Sequence, residues 1–398
     1  MKQDTGIQLK EQVEKELRNN ILKFWCEYAP DNENGGFYGF ISKDLEVNDH
    51  HDKASVLNAR ILWTYSKAYR LYKQKSFLDM AVRAYEYIRK HFINYETMGV
   101  YWLLDYKGKP VDTKNQVYAN AFTIYALSEY FRAAGDKSAL DLAVKLFEAL
   151  EEHARDKAHG GYLEAFAADW SPLSDMSLSE KDMNVPKSMN THLHVLEAYT
   201  NLLRVWDSDK LKASLDALLK NVLEHIVDKN SWRFELFFSL DWTPCSDITS
   251  FGHDIEGSWL IYEAAEVLGD GMMLEKARTA SIRMAEKALL NGMDEEFGGM
   301  YNELHDTKLD DNKDWWPQAE AVVGFFNAWQ LTGDRNFLDA SYKCWQFIDK
   351  YIVDPKNGEW HWGVTRDGSR VTSSEKAGQW KCPYHNSRMC YEIISRVK

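Results

Sequence analysis

An imidazole and a carboxylate lie three residues apart in the segment Phe251–Trp259, which reads FGHDIEGSW. His253 and Glu256 share one face of a helix at this spacing, and an apolar run follows them toward Gly269. Histidine, with an unperturbed pKa of about 6.5, can act as both acid and base near neutral pH. The segment therefore predicts a site for proton transfer at the N-terminal end of a buried helix.

Five other helical segments carry chemically capable residues near their N-terminal ends. Arg60 lies within an apolar stripe, where its charge is not on a solvated face. Asn190 and His194 are four residues apart, and Glu197 extends the same face. The remaining members are Tyr118 and Asn120 in the second segment, Trp315 and Trp316 before Pro317 in the fifth, and Trp380 and His385 around Pro383 in the sixth. Both prolines are predicted to occupy first helical turns.

Each of these residues also has a purely structural interpretation. A single buried histidine is more often a hydrogen-bonded structural residue. Arg60 alone fits a buried ion pair, and isolated tryptophans pack most often in a core. Only their recurrence at equivalent places of successive helices favours a shared site.

The hydrophobic periodicity predicts about twelve helices, mostly in pairs joined by short turns. They are Leu9–Tyr28, Ala54–Tyr72, Phe77–Phe92, Gln116–Ala134, Ala139–Ala154, Pro186–Trp206, Leu211–Val227, His253–Leu268, Met273–Leu290, Trp316–Leu331, Phe337–Ile352 and Pro383–Val397.

A glycine-aromatic segment recurs between the helix pairs at intervals of roughly 60–70 residues. Its copies are Gly35–Tyr38, Gly99–Trp102, Gly160–Leu163, Trp232–Glu235, Gly298–Tyr301 and Gly358–His361. Each copy is predicted to form a short strand hairpin. The repeat predicts one domain over residues 1–398, with six inner and six outer helices in a closed ring. An open solenoid is the alternative, and closure is favoured because the site needs the repeats to converge.

The composition and net charge of the chain restrict its possible binding partners and its cellular compartment. The chain has 398 residues and a formal net charge of -13, which argues against nucleic acid and anionic membranes as partners. It contains no apolar run of about 18 residues, and its N-terminus is polar, without a signal-peptide core. Five scattered cysteines without a Cys-x-x-Cys pair indicate reduced thiols in a cytoplasm.

Neither a metal nor a cofactor is expected. His192 and His194 are two residues apart, so on a helix they point in different directions and cannot share a metal. The sequence contains no His-Glu-x-x-His motif, no Walker loop and no dinucleotide fingerprint.

Four motifs carry a family resemblance: Ser188–Glu197, Phe251–Glu256, Trp315–Glu320 and Lys381–Arg388. Together they resemble the cellobiose 2-epimerases, a branch of the N-acylglucosamine 2-epimerase superfamily, and the resemblance covers essentially the whole chain. It implies an all-α fold, an (α/α)6 barrel with short β-hairpin segments between helix pairs. It also implies reversible epimerisation at C2 of the reducing-end glucose of β-1,4-linked disaccharides such as cellobiose and lactose.

The resemblance assigns roles to individual residues. His253 and His385 resemble the acid/base pair, and Arg60 and His194 resemble the groups that hold an enediolate intermediate. The other implied positions are Tyr118, Asn190 and Glu256 near the reacting sugar, Trp316 and Trp380 as aromatic walls, and, in a variable loop, Asp182.

Other functions remain open from sequence. Glu256 and Glu320 can be imagined as the carboxylate pair of an inverting glycoside hydrolase, although three convergent histidines fit proton transfer at carbon better. A monosaccharide 2-epimerase, an aldose–ketose isomerase and a non-catalytic helical scaffold are further alternatives. The expected partner is a small disaccharide, and the expected assembly is a monomer or a weak homodimer.

Overall fold

A computed structural model describes residues 2–397, and thirteen α-helices together with five π-helical turns account for more than half of them. The helices are α1 (Lys2–Glu16), α2 (Leu22–Tyr28), α3 (Ser55–Tyr72), α4 (Lys75–Tyr87), α5 (Val117–Ala134), α6 (Lys137–Ala149), α7 (Met189–Leu203), α8 (Asp209–Asn221), α9 (Phe251–Leu268), α10 (Gly271–Asn291), α11 (Trp315–Thr332), α12 (Arg335–Phe347) and α13 (His385–Arg396). A π-helical turn joins α1 to α2. Similar turns, at Ile88–Phe92, Leu150–Ala154, Val222–Ile226 and Ile348–Ile352, extend four of the outer helices. Since α1 and α2 form one continuous element, the twelve expected helices are confirmed.

The helices form two concentric layers. Consecutive contacts run from α3 through α5, α7, α9 and α11 to α13, and α13 packs back against α3. The intervening helices α4, α6, α8, α10 and α12, together with α1, pack outside this ring. The inner ring is therefore closed, as the convergence of candidate residues required.

Burial explains which helices lie inside. Every residue of α5 from Val117 to Tyr130 is buried, whereas α4 buries one face only, including Phe77, Met80 and Ala84. A helix surrounded by other elements has no solvated face, and an outer helix keeps a polar one. The unbroken burial of the inner helices is what encloses the polar side chains at their N-terminal ends.

Glycine-aspartate turns reverse the chain between paired helices. Gly135, Gly269 and Gly333 adopt left-handed φ angles of 71°, 78° and 73° after α5, α9 and α11, a common way to end a helix. The aspartates that follow cap the next helices through backbone amides. The predicted short turns are therefore confirmed.

Short strands occupy the other end of the barrel. They are Ile41–Ser42, Lys53–Ala54, Ile93–Asn94, Gly99–Val100, Leu103–Leu104, Pro110–Asp112, Asn115–Gln116, Ala165–Phe166, Lys187–Ser188, Phe237–Phe238, Ile248–Ser250, Glu303–His305, Lys308–Asp310, Lys313–Asp314, Gly363–Val364 and Glu375–Ala377. The strand before each inner helix pairs with a strand of the next repeat. In the sixth repeat the strand Glu375–Ala377 pairs with Ile41–Ser42 of the first repeat, where Ile41 faces Ala377. This pairing closes the ring a second time.

All six glycine-aromatic segments form the predicted hairpins. In each hairpin one aromatic or apolar residue forms an antiparallel bridge with the residue seven positions before it. Phe37 pairs in this way with Pro30, and Trp360 with Val353. Trp232, in the copy that lacks glycine, adopts a left-handed φ of 56°. The hairpin geometry is therefore retained even where the glycine is missing.

Most predicted helix starts lie within two residues of the observed ones, but the first helix begins at Lys2, seven residues before the expected Leu9. The helix expected from Pro186 begins at Met189, because Lys187 and Ser188 pair with Phe238 and Phe237 as a strand. The helix expected from Pro383 begins at His385, so Pro383 does not occupy its first turn. Pro317 is the third residue of α11, as predicted. No helix within residues 2–397 combines the length and apolar character needed to cross a membrane.

Candidate active site

The candidate residues gather at the N-terminal ends of the inner helices. Because these helices run in the same direction around the ring, their first turns meet at one end of the barrel. The set comprises Arg60 in α3, Tyr118 in α5, Asn190 and His194 in α7, His253 and Glu256 in α9, Trp316 in α11, Trp380 just before α13, and His385 as its first residue. Asn120 bonds its own helix, through the carbonyl of Gln116 at 2.9 Å.

A buried guanidinium organises the carboxylates beneath this end. Arg388 donates hydrogen bonds to Glu197, to Glu256 and, at 2.7 Å, to Glu320. It also donates to the hydroxyl of Tyr384. Since the three glutamates lie on α7, α9 and α11 and Arg388 on α13, this one side chain connects four of the six inner helices.

Two of these carboxylates orient histidines. The Nδ1 atom of His385 lies 2.7 Å from Oε1 of Glu320, and Nδ1 of His194 lies 3.1 Å from Oε2 of Glu197. A carboxylate partner places the proton on Nδ1 and leaves Nε2 as the basic nitrogen. Both imidazoles are thereby set as neutral bases with a fixed ring orientation.

His253 is held in a different way. Its Nδ1 lies 2.8 Å from the hydroxyl oxygen of Ser250, the residue before α9. The ring of Trp316 lies 4.6 Å from the His253 ring and 5.7 Å from the His385 ring, measured between centroids. Two imidazoles from different helices thus flank one indole.

Arg60 presents the opposite electrostatic situation from Arg388. It donates to the hydroxyl of Tyr118 at 2.8 Å and faces the thiol of Cys382 at 3.7 Å, while its Nε has no hydrogen-bond partner within residues 2–397. The rings of Phe122 and Tyr384 lie 4.3 and 4.9 Å from its guanidinium carbon. Among the described residues no carboxylate forms an ion pair with Arg60, so its charge is available to an anion.

Burial sets the protonation states of the site. It lowers the pKa of His253 to about 3 and holds the pKa values of His194 and His385 below the ordinary value of 6.5. Burial also raises the pKa of Glu256 to about 8, and the neighbouring Glu320 adds to this shift. The three histidines are therefore neutral at pH 7.

Glu197 behaves differently from Glu256. Burial acts to raise the pKa of Glu197, yet Arg388 and the hydrogen bond from His194 lower it to about 2. Glu197 is therefore ionised near neutral pH and can stabilise a proton arriving on His194.

Aromatic side chains line one side of the site. Trp380 is half-buried, and its ring lies 6.0 Å from the rings of both Trp102 and Tyr118. Asp182 lies in the long loop before α7, where it accepts a hydrogen bond from Ser179 rather than from any candidate residue. Asn190 is the second residue of α7, at the N-terminal end of the barrel (the mouth), and its Oδ1 has no hydrogen-bond partner in the described part of the chain.

Glu256, Glu320 and His385 place three possible metal ligands close together. Their ligand atoms lie within 4.8 Å of one another, a separation that could accommodate a cation. However, one nitrogen of Arg388 already donates to Oε1 of both glutamates. The guanidinium holds the place that a cation would need, so these residues do not fit a metal.

Sequence reasoning missed part of this arrangement. It assigned no role to Arg388, Tyr384 or Trp102, and it considered Glu320 only as a hydrolase carboxylate. Helical spacing offered a signal, because Arg388 is three residues after His385 and Glu320 is four after Trp316. His192, in contrast, is structural: its Nε2 accepts from the amide of Tyr162 at 2.9 Å.

The closed helical barrel brings three histidines together at one end, an arrangement suited to proton transfer. The family model of N-acylglucosamine 2-epimerase matches residues 35–388, and the chain belongs to that family of isomerase-class enzymes. It is 46% identical to a cellobiose 2-epimerase of Bacteroides fragilis over 97% of this chain and 98% of the relative. A cellobiose 2-epimerase of Ruminococcus albus is 41% identical, with coverage of 97% and 98%. The structure of cellobiose 2-epimerase from Bacillus thermoamylovorans superposes with a TM-score of 0.93 at 39% identity, covering 98% of this chain and 99% of that one.

Proposed function

We propose that the protein interconverts the reducing-end glucose and mannose of β-1,4-linked disaccharides by moving a proton at C2. It converts cellobiose to 4-O-β-glucosyl-mannose and lactose to epilactose. One observation carries the proposal: His253 and His385, from different helices, both lie beside Trp316 at the end of the barrel that also holds Arg60, which has no carboxylate partner among the described residues.

The reaction begins with ring opening, because the C2–H bond of an aldose is acidic only beside the open-chain carbonyl. One neutral imidazole then removes the C2 proton, and the electron pair moves onto O1 to give an enediolate. Arg60 and His194 stabilise the charge that develops along O1 and O2. The other histidine takes up a proton on its Nε2 from solvent and delivers it to the opposite face of C2, while the first histidine releases its proton to solvent. The configuration therefore inverts, and no redox cofactor is required.

Glu320 and Glu197 stabilise the protonated forms of their histidine partners during these transfers. A proton that arrives on Nε2 of His385 is stabilised through Nδ1 by Glu320, 2.7 Å away. Glu197 does the same for His194. Arg388 holds both carboxylates in place, so the two histidine–glutamate pairs share one anchor.

The aromatic residues support a disaccharide rather than a single sugar. Trp316 lies beside the acid/base histidines, and Trp380 with Trp102 extends the aromatic surface away from them. Aromatic faces stack on sugar rings, and two separate indole walls offer surface for two rings. Asp182, on the loop before α7, is proposed as a polar contact to the sugar.

A glycoside hydrolase is less consistent with this geometry. An inverting hydrolase separates its two carboxyl groups by roughly 6.5–9.5 Å to admit a water molecule and the bond to be cleaved. The ligand oxygens of Glu256 and Glu320 lie within 4.8 Å of each other and share one nitrogen of Arg388. Both carboxylates are buried and engaged, so they are poorly placed to flank a glycosidic bond.

The test is incubation with cellobiose, lactose, mannose and N-acetylglucosamine in separate heavy-water reactions, followed by NMR of the products. We expect glucosyl-mannose from cellobiose, with deuterium at C2 and an intact glycosidic bond. Release of glucose from cellobiose would establish a hydrolase. A kcat/KM for mannose well above that for cellobiose would establish a monosaccharide epimerase or isomerase.

We also propose a domain organisation, a cofactor requirement, an oligomeric state and a compartment, each as expected from the sequence. Residues 1–398 act as one catalytic domain that needs neither metal nor cofactor and works as a monomer or weak homodimer. Five free cysteines and a net charge of -13 support a cytoplasmic protein without a nucleic-acid or membrane partner.

A further inference from the structure

The sixth repeat departs from the pattern of the other five. Helices α3, α5, α7, α9 and α11 each begin at the residue directly after a strand. Helix α13 does not, because residues 378–384 separate its first residue, His385, from the strand Glu375–Ala377. This irregular segment carries Trp380 and Cys382, and it determines where His385 lies.

The hairpin of this repeat is also anchored differently. In three other repeats a hairpin amide donates to the fourth residue of the following inner helix: Tyr162 to His192, Phe234 to Asp254 and Met300 to Gln318, at 2.9, 2.7 and 2.7 Å. In the sixth repeat the corresponding amide, that of Trp360, donates to the side chain of its own neighbour, Glu359.

Glu359 holds an unfavourable backbone conformation. Four hairpins contain two consecutive residues with positive φ, and three of them use glycine at both positions. The second glycines, Gly36, Gly161 and Gly299, have φ angles of 62°, 75° and 72°, whereas Glu359 has 58°. A glutamate here is strained where glycine is not, and its carboxylate makes contacts that glycine cannot make.

The contacts of that carboxylate lie on both sides of His385. Glu359 accepts from the ammonium of Lys381 at 2.5 Å and from the amide of Asn386 at 2.6 Å, and Trp25 donates to it at 3.2 Å. Glu359, Lys381 and Asn386 are all fully buried. One carboxylate therefore holds the start of α13 and the loop before it from outside the inner ring.

We propose that Glu359 is a positioning residue that fixes His385 in its proton-transfer geometry by holding Lys381 and Asn386. This inference rests on the proposed function. His385 also contacts Glu320, but that bond fixes the ring and not the backbone that carries it. Displacing a reacting group by about 1 Å lowers the rate by up to a hundredfold, so the anchor affects the chemical step directly.

Glu359→Gln tests the proposal against a matched control, Glu129→Gln. Glu129 is also a buried glutamate paired with cations, Arg70 at 2.5 Å and Arg132 at 2.9 Å, but it lies toward the C-terminal end of α5, far from the mouth. We expect Glu359→Gln to lower kcat for cellobiose by about tenfold or more with little change in KM. Glu359→Gln should slow C2 deuterium exchange by the same factor as kcat. Glu129→Gln should lower Tm and leave kcat unchanged. Equal kcat in the two variants would overturn the proposal.

A second variant covers the case in which Glu359→Gln does not fold. Glu359→Gly combined with Lys381→Gln copies the fifth repeat, where Gly299 lies opposite Gln318, and it removes the strain and both buried charges together. We expect it to keep a near-wild-type Tm and still lose kcat. Recovery of full kcat would show that Glu359 is only structural. An inactive wild-type protein would instead contradict the proposed function, so the two failures are distinguishable.

Discussion

Replacing Arg60 with lysine should reduce catalysis sharply although the charge is retained. The Arg60 guanidinium uses one nitrogen for Tyr118 at 2.8 Å, faces a weak thiol acceptor with the second at 3.7 Å, and leaves Nε without a partner. A planar fork of this kind can hold O1 and O2 of an enediolate together. A lysine ammonium is a compact charge on a flexible stem and cannot hold both in a fixed geometry.

The magnitude follows from the number of donors lost. Lysine can retain the contact with one enediolate oxygen, so the variant loses about one charged donor to the developing anion. Removing one such donor costs about 3 kcal/mol of transition-state stabilisation, which is on the order of a hundredfold in kcat. KM should change much less, because the neutral sugar carries no anionic charge before proton removal.

The assay is steady-state epimerisation of cellobiose followed by NMR, together with C2 deuterium exchange. The control is Arg70→Lys, the same substitution ten residues further along α3, where Arg70 pairs with Glu129 and not with the site. We expect Arg70→Lys to retain wild-type kcat. A kcat for Arg60→Lys within threefold of the wild type, roughly 0.7 kcal/mol, would refute the role of Arg60.

Three further outcomes are expected. His253→Ala and His385→Ala should each abolish epimerisation but show complementary C2 exchange over long incubation, one with the gluco and the other with the manno epimer; full epimerisation by either variant would contradict opposed-face bases. Exhaustive chelation and desalting should leave activity intact, because Arg388 occupies the centre of the Glu256–Glu320–His385 cluster; activity restored only by added metal would disprove this. The histidine that removes the C2 proton must be neutral, and burial lowers the pKa values of His253 and His385 below 6.5. On the acid side, kcat/KM should therefore fall only as the pH drops below 6.5. An acid-side midpoint above that value would contradict the assignment.

The fold was predictable because its signals are local and repeated. Helix periodicity, Gly-Asp turns and the recurring hairpins each depend on a few neighbouring residues, and they occur in every repeat or in several of them. Even Trp232, without glycine, follows the hairpin pattern. The start of α13 was not predictable in this way, because residues 378–384 interrupt the strand-to-helix pattern of the other repeats, and the residue that holds them, Glu359, lies in the preceding hairpin.

The site was predictable only in part for a related reason. Arg60, His194, His253 and His385 stand out individually as polar residues in apolar helices. The role of Arg388 depends on three carboxylates that approach it from separate helices, the most distant of them 191 residues away in sequence. No spacing rule within one helix reveals such a convergence.

The two buried arginines show how one fold can make opposite uses of the same side chain. Arg388 is paired with glutamates from three helices, of which Glu197 is ionised, so its charge serves to hold Glu197, Glu256 and Glu320 in place and has little attraction left for substrate. Arg60 is enclosed by aromatic rings and lacks any such counter-charge among the described residues. A buried charge without a partner is unfavourable until an anion arrives, and in the proposed reaction the anion exists only after the C2 proton has been removed. The proposed interaction of Arg60 therefore strengthens between the ground state and the transition state, which is the condition for raising kcat and not merely substrate affinity.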